Sequence, residues 1–356
     1  MEQSFVTINT NQSISFYLPS NYSLIKDLSR KYTYRIKAFD SILNTEVLIA
    51  KERFSSHDKF MARSTLATLF LQYTLNHNKV AKLLKIIIPS EYEFDNYIYI
   101  ITKSSDVSLA SIISSKQIIS EDHIASIAYD ALCYMYHLHQ NNLNCVYLSP
   151  KHILLNGDCE LKFSKPIFDI YDNNCRIYHL KRPNCAHGIP CCYLSPEFIL
   201  EGDHCFKSDL WTLGCILFQV FTKEALFPSN KIEETINLIF NGLGDVEEED
   251  LNHIQHEYSK HFIQNMNLKG GKTIFERLGN VSPVMLDFLK KIMVFNPEKR
   301  ISSSEALLHP FLFRFFCRED FFVKKKFDTE IIYRIMQMEW DEIFNSLLDL
   351  SNRIND

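Results

Sequence analysis

Few residues of this chain have the type and spacing for chemistry, and each can be weighed separately. Cys185, Cys191 and Cys192 with His187 make the one local cluster of thiols and imidazole. Thiolate and imidazole nitrogen are zinc ligands, but structural zinc sites take them in regular pairs, which this run lacks, so it reads as reduced thiols in a loop and no metal is expected. Phosphate chemistry asks for backbone amides brought against phosphate oxygens, an approach that usually needs glycine. The 356 residues include only nine glycines, and none precedes Gly157.

The elements that must position these groups follow from periodicity. Strand-like runs at 32–39, 46–49 and 97–101 surround a helical stretch at 59–74, which predicts a small sheet-rich domain. Helical periodicity then dominates, at 123–139, 210–221 and 283–294, with a short strand at 153–155. A chain of this length exceeds what one core usually serves, and with 46% hydrophobic residues it can fill two. The net charge of −5, mixed in sign along the chain, implies neither nucleic acid nor an anionic membrane as partner. The polar start lacks a signal-peptide core and no run is long and apolar enough to span a bilayer, so a soluble protein of the cytoplasm or nucleus is expected.

Longer runs carry more information. Lys207-Ser208-Asp209-Leu210-Trp211-Thr212-Leu213-Gly214-Cys215, then Leu226-Phe227-Pro228, then Phe295-Asn296-Pro297-Glu298-Lys299-Arg300-Ile301 and His309-Pro310-Phe311 occur in order over about a hundred residues. This series resembles the large lobe of mitogen-activated protein kinases. The resemblance implies an α+β bilobal fold, with a small antiparallel sheet lobe and a larger helical lobe. It divides the chain into an N-terminal segment at 1–15, an N-lobe at 16–105, a C-lobe at 106–313 with a family insert near 245–280, and a C-terminal extension at 314–356 packing back on the lobes.

Phosphoryl transfer in that family needs a glycine loop over the phosphates, a lysine paired to a glutamate, two magnesium ligands and an aspartate for the substrate hydroxyl. The resemblance puts Leu28, Arg30 and Thr33 in the glycine slots, Ala50 in the lysine slot and Thr68 in that of its glutamate partner. Lys51 is the neighbour, and strand alternation turns it to the wrong face unless a bulge intervenes. The catalytic loop reads Cys145-Val146-Tyr147 for His-Arg-Asp, Ser149 for its lysine and His152 for the magnesium-binding asparagine. A protonated phenol at Tyr147 cannot serve as the carboxylate. Lys165 stands where the second magnesium ligand belongs, and a cation there repels magnesium. Thr102 falls at the gatekeeper position. The family's activating Thr-x-Tyr falls at Cys185-Ala186-His187.

What remains of the family pattern is structural: Glu197 and Arg300 as a buried ion pair, Asp209 as anchor of the catalytic-loop backbone, Trp211 and Gly214 as packing of the central helix. Two acidic docking slots fall at Cys317 and Asp320, with Glu319 adjacent, and would take a basic segment of another signalling protein. The expected function is a pseudokinase acting as scaffold or allosteric partner, with no cofactor. An active ATP- and magnesium-dependent serine/threonine kinase with relocated groups is the alternative, and nucleotide binding without transfer, resting on Lys51 and Lys165, is a second.

Overall fold

The computed structural model describes residues 4–10, 14–29, 34–75, 77–89, 96–103, 107–145, 148–164, 190–201, 205–244, 246–252, 254–264, 273–322 and 327–355. The chain forms two compact units, one from residues 1–106, 162–166 and 327–356, the other from 107–161 and 167–326.

In the first unit a five-stranded antiparallel sheet is assembled from β-branched and aromatic runs whose alternate side chains turn inward. Strands β1 (Phe5–Asn9) and β2 (Ser15–Pro19) form a separate antiparallel pair ahead of it. The sheet itself takes β3 (Tyr22–Asp27), β4 (Tyr34–Asp40), β5 (Thr45–Arg53), β6 (Leu83–Ile87) and β7 (Tyr97–Lys103) in the order β3-β4-β5-β7-β6. Helix α1 (Lys59–Leu75) falls between β5 and β6 in sequence. Phe16, Leu18, Ile36, Val47, Ile49, Tyr99 and Ile101 form a core on one side of the sheet. Phe5 and Ile8 of β1 pack against that core, so the pair that precedes the sheet belongs to this unit.

The second unit contains the strands β8 (Val107–Ser108) and β9 (Ile153–Leu155), which pair antiparallel, and is otherwise mainly helical. Its central helices are α2 (Glu121–His139) and α3 (Phe206–Thr222), which pack on each other. Ser120 caps α2: its hydroxyl accepts from the His123 N–H, satisfying a donor the helix leaves open. Acids in its first turn, Glu121 and Asp122, complement the helix dipole. Twelve of the seventeen residues of α3 are buried, including Asp209 and Trp211, and Trp211 stacks on Phe227. Helix α4 (Pro283–Ile292) begins with Ser282 as cap and Pro283 at its first position, where a missing N–H costs nothing.

After residue 326 the chain returns to the first unit as α5 (Glu330–Gln337) and α6 (Trp340–Asn355), both packed on α1, with α6 also against β6. Ile332, Ile335, Ile343, Leu347 and Leu350 are the buried apolar face. Before that return, 314–322 packs on α2 through Phe315 and Phe321. Among the described residues no helix is long and apolar enough to cross a membrane.

Candidate functional site

Strand β5 decides what the first unit can offer a ligand. Its pairing with β4 and with β7 runs from Thr45 to Arg53 without a register shift. Side chains therefore alternate strictly, and Leu48, Ala50 and Glu52 share one face while Lys51 points to the other. There the Lys51 ammonium donates to the Ser15 carbonyl at 3.0 Å and lies 4.4 Å from the centre of the Tyr97 ring. The bulge that would turn Lys51 round does not occur. The opposite face borders a cavity of about 110 Å³ whose walls include Leu48, Ala50, Thr68, Thr102 and Ser164. Ala50 and Thr68, the residues expected at the positions of the phosphate lysine and its glutamate partner, thus face one space, with a methyl group and a hydroxyl. Thr68 turns its hydroxyl back to the Ser64 carbonyl at 2.8 Å, as helical threonines do when nothing else is offered. Thr102 is buried, with Leu48 and Leu83 as its neighbours on the flanking strands.

Of the three residues expected in glycine slots, Leu28 is described: it follows β3, is 39% exposed, and its N–H donates to the Arg35 carbonyl at 2.9 Å. Arg30 and Thr33 lie outside the described residues. So do Tyr147, Lys165, Cys185 and His187. Cys191 and Cys192 are buried in a single 3₁₀ turn. No group of three or more potential metal-ligating side chains occurs among the described residues.

In the second unit, Asp209 lies fully out of water at the start of α3, and one of its oxygens accepts from the Cys145 N–H at 2.7 Å and from His139 Nε2 at 2.8 Å. The other ring nitrogen of His139, Nδ1, lies 2.9 Å from the Ser303 hydroxyl. Serine, histidine and aspartate in one chain of hydrogen bonds look like a hydrolase triad, but all three are buried and the serine is held at a helix start, so they fasten α2, α3 and the backbone at Cys145 together. Burial, with the Asp209 charge adding to it, pushes the Cys145 thiol well up, so that group is an inert one. Sequence reasoning missed His139, because a lone histidine in the last turn of a helix carries no spacing signal. Further along the loop Ser149 is buried, with its hydroxyl 3.2 Å from His152 Nδ1.

Arg300 is also fully buried and forks onto Glu197, with Nη1 to Oε1 at 2.8 Å and Nη2 to Oε2 at 3.0 Å. Its remaining donors reach the carbonyls of Val294, Phe295 and Lys207, and its guanidinium carbon lies 5.3 Å from the Trp211 ring centre. A Cβ on Gly214 would come within 2.6 Å of Met293 Cγ, which explains a glycine in mid-helix. Near the end of the unit, Asp320 accepts from the Tyr129 hydroxyl at 2.8 Å, and that hydroxyl accepts from the Cys317 N–H at 2.7 Å, whereas Glu319 is exposed.

An antiparallel sheet with helices packed on it, in a chain whose other unit is helical around a buried Asp209 and a Glu197–Arg300 pair, is the α+β fold of protein kinases. A family model described as the protein kinase domain matches residues 44–312, and the chain belongs to that family. Within it the similarity is to mitogen-activated protein kinases. The chain is 27% identical over 310 residues to the mitogen-activated protein kinase homolog MMK2 of Medicago sativa, covering 83% of this chain and 82% of that one. It is 28% identical over 301 residues to mitogen-activated protein kinase 14 of Arabidopsis thaliana, covering 83% and 81%. With the mitogen-activated protein kinase homolog 1 of Petunia hybrida it shares 29% over 307 residues, covering 83% and 77%.

Proposed function

We propose that this chain is a mitogen-activated-kinase-like pseudokinase that acts on other signalling proteins as a scaffold or allosteric partner. The observation that carries the reading is the unbroken register of β5, which leaves Ala50 on the face where the phosphate lysine belongs and sends Lys51 to the aromatic face with Tyr97. Thr68 has no charge to hold a lysine in place. The donor set at the other slots does not fit a magnesium–nucleotide group: Ser149 and His152 replace a lysine and an asparagine, and Tyr147 and Lys165 replace two aspartates. Imidazole is a poor ligand for a hard cation that prefers oxygen. A single general base is worth about 10²–10⁴ in rate, and here the metal ligands and the phosphate lysine are replaced as well. Glu319, and Asp320 in part, are the acids left to meet a basic segment of a partner.

The test is a thermal-shift titration of the full chain with ATP, with and without magnesium, beside an active mitogen-activated protein kinase. A ligand that binds only the native state raises Tm by mass action. No shift in this chain, with a clear shift in the control, is expected; a magnesium-dependent rise would return the active-kinase reading to first place.

A further inference from the structure

A second cavity, of about 700 Å³, belongs to the first unit and is separate in chemistry from the kinase slots. Four cations line it: Lys82, Lys103, Lys162 and Arg353. They are far apart in sequence, and backbone hydrogen bonds gather them. The Lys103 N–H donates to the Lys82 carbonyl at 3.2 Å, at the open end of the β6–β7 pair. Phe163 brackets the same segment: its N–H donates to the Lys79 carbonyl at 2.7 Å and its carbonyl accepts from the Ala81 N–H at 2.8 Å, which sets Lys162 beside Lys82. Arg353 comes from the last turn of α6, which Ser351 and Asn355 fasten to the Ile86 carbonyl at 2.9 and 3.1 Å.

No aspartate or glutamate is among the described residues that line this space, and none of the four cations is ion-paired to a described carboxylate. That is unusual for a chain whose net charge is −5, since basic composition does not explain it. Gathering like charges around a concavity costs self-repulsion, which an anion relieves. Ammonium and guanidinium groups are donors only, and both pair well with phosphate oxygens. The volume falls in the range of roughly 300–1,000 Å³ typical of small-molecule sites. We propose that this cavity binds a multiply phosphorylated small anion, independently of the ATP slots. That chemistry is shared by soluble inositol polyphosphates and by phosphoinositide headgroups.

Isothermal titration of the full chain with inositol hexakisphosphate, in parallel with sedimentation on phosphatidylcholine vesicles carrying phosphatidylinositol bisphosphate, separates the two sources. Stoichiometric binding in solution assigns the soluble ligand, and binding to the doped vesicles alone assigns the headgroup; binding in neither arm overturns the proposal. The Lys82→Gln/Lys103→Gln/Lys162→Gln variant should weaken binding by about tenfold or more. A variant with the same charge change on the second unit, Lys260→Gln/Lys290→Gln/Lys291→Gln, should leave it unchanged. Equal weakening in both would mean unspecific attraction and would also overturn the site. Lys82 and Lys103 are exposed, and Arg353→Gln supplies a fourth, equally exposed position should the triple variant lose its native Tm.

Discussion

Arg300 carries a guanidinium fully out of water, and it stays there because its donors find acceptors in Glu197 and three backbone carbonyls. Removing such a partner leaves the other charge buried alone, so Arg300→Ala should cost about 3–5 kcal/mol and lower Tm of the second unit by roughly 10 °C. The pair also sets a pH dependence. Burial pushes the Glu197 carboxyl up, but the Arg300 charge and the hydrogen bonds from Arg300 and Ser208 outweigh it and hold the group below its ordinary range. A carboxyl that is lower in the folded state contributes stability at neutral pH and loses it as pH falls below the ordinary glutamate value of about 4.3 toward the folded one. A plot of Tm against pH should fall in that acid window, and Glu197→Gln should lower Tm at neutral pH while flattening the acid fall. Both residues were legible in the sequence, since each sits in a motif with few alternatives. His139 was not, because its importance comes from where α2 ends relative to Asp209.

Strand β5 and helix α6 show what elements add. Lys51 adjoins Ala50 in sequence, and whether it serves as the phosphate lysine depends on a single-residue change of register, which periodicity alone cannot detect. With the register continuous, Lys51 fastens β5 to the β2 backbone through Ser15 and covers Tyr97. Lys51→Ala should therefore cost about 0.5–1 kcal/mol in urea unfolding and leave the response to nucleotide as it was in the unaltered chain; abolition of a nucleotide-induced shift would place Lys51 in the phosphate site instead. Helix α6 lies in the C-terminal extension, and its apolar stripe closes the first unit over α1 and β6. Leu347 is fully buried there, so Leu347→Ala should destabilise this unit by about 2–5 kcal/mol, measured as a lower urea midpoint. The β1–β2 pair went unread because two five-residue strands with polar flanks give too short a pattern.

For the whole molecule, the kinase fold and the proposed loss of kinase chemistry rest on different evidence. Fold comes from many apolar positions and a few buried polar anchors, each tolerant of change elsewhere, so a chain 27–29% identical to mitogen-activated protein kinases keeps it. Catalysis needs all its groups together, so reinstating one should restore nothing: Tyr147→Asp alone should give no phosphotransfer to a generic peptide above a reagent blank, and robust transfer would show the other slots to be dispensable. The amino-acid order by itself determined the two-part α+β architecture and the family, because these depend on local pattern and ordered motifs. Tertiary structure decided the face that Lys51 takes, the partners of Asp209, the unit that 327–355 joins and the gathering of Lys82, Lys103, Lys162 and Arg353. Each of those depends on strand register or on contacts between distant segments, where one residue of slip reverses a side chain and no local signal records the outcome.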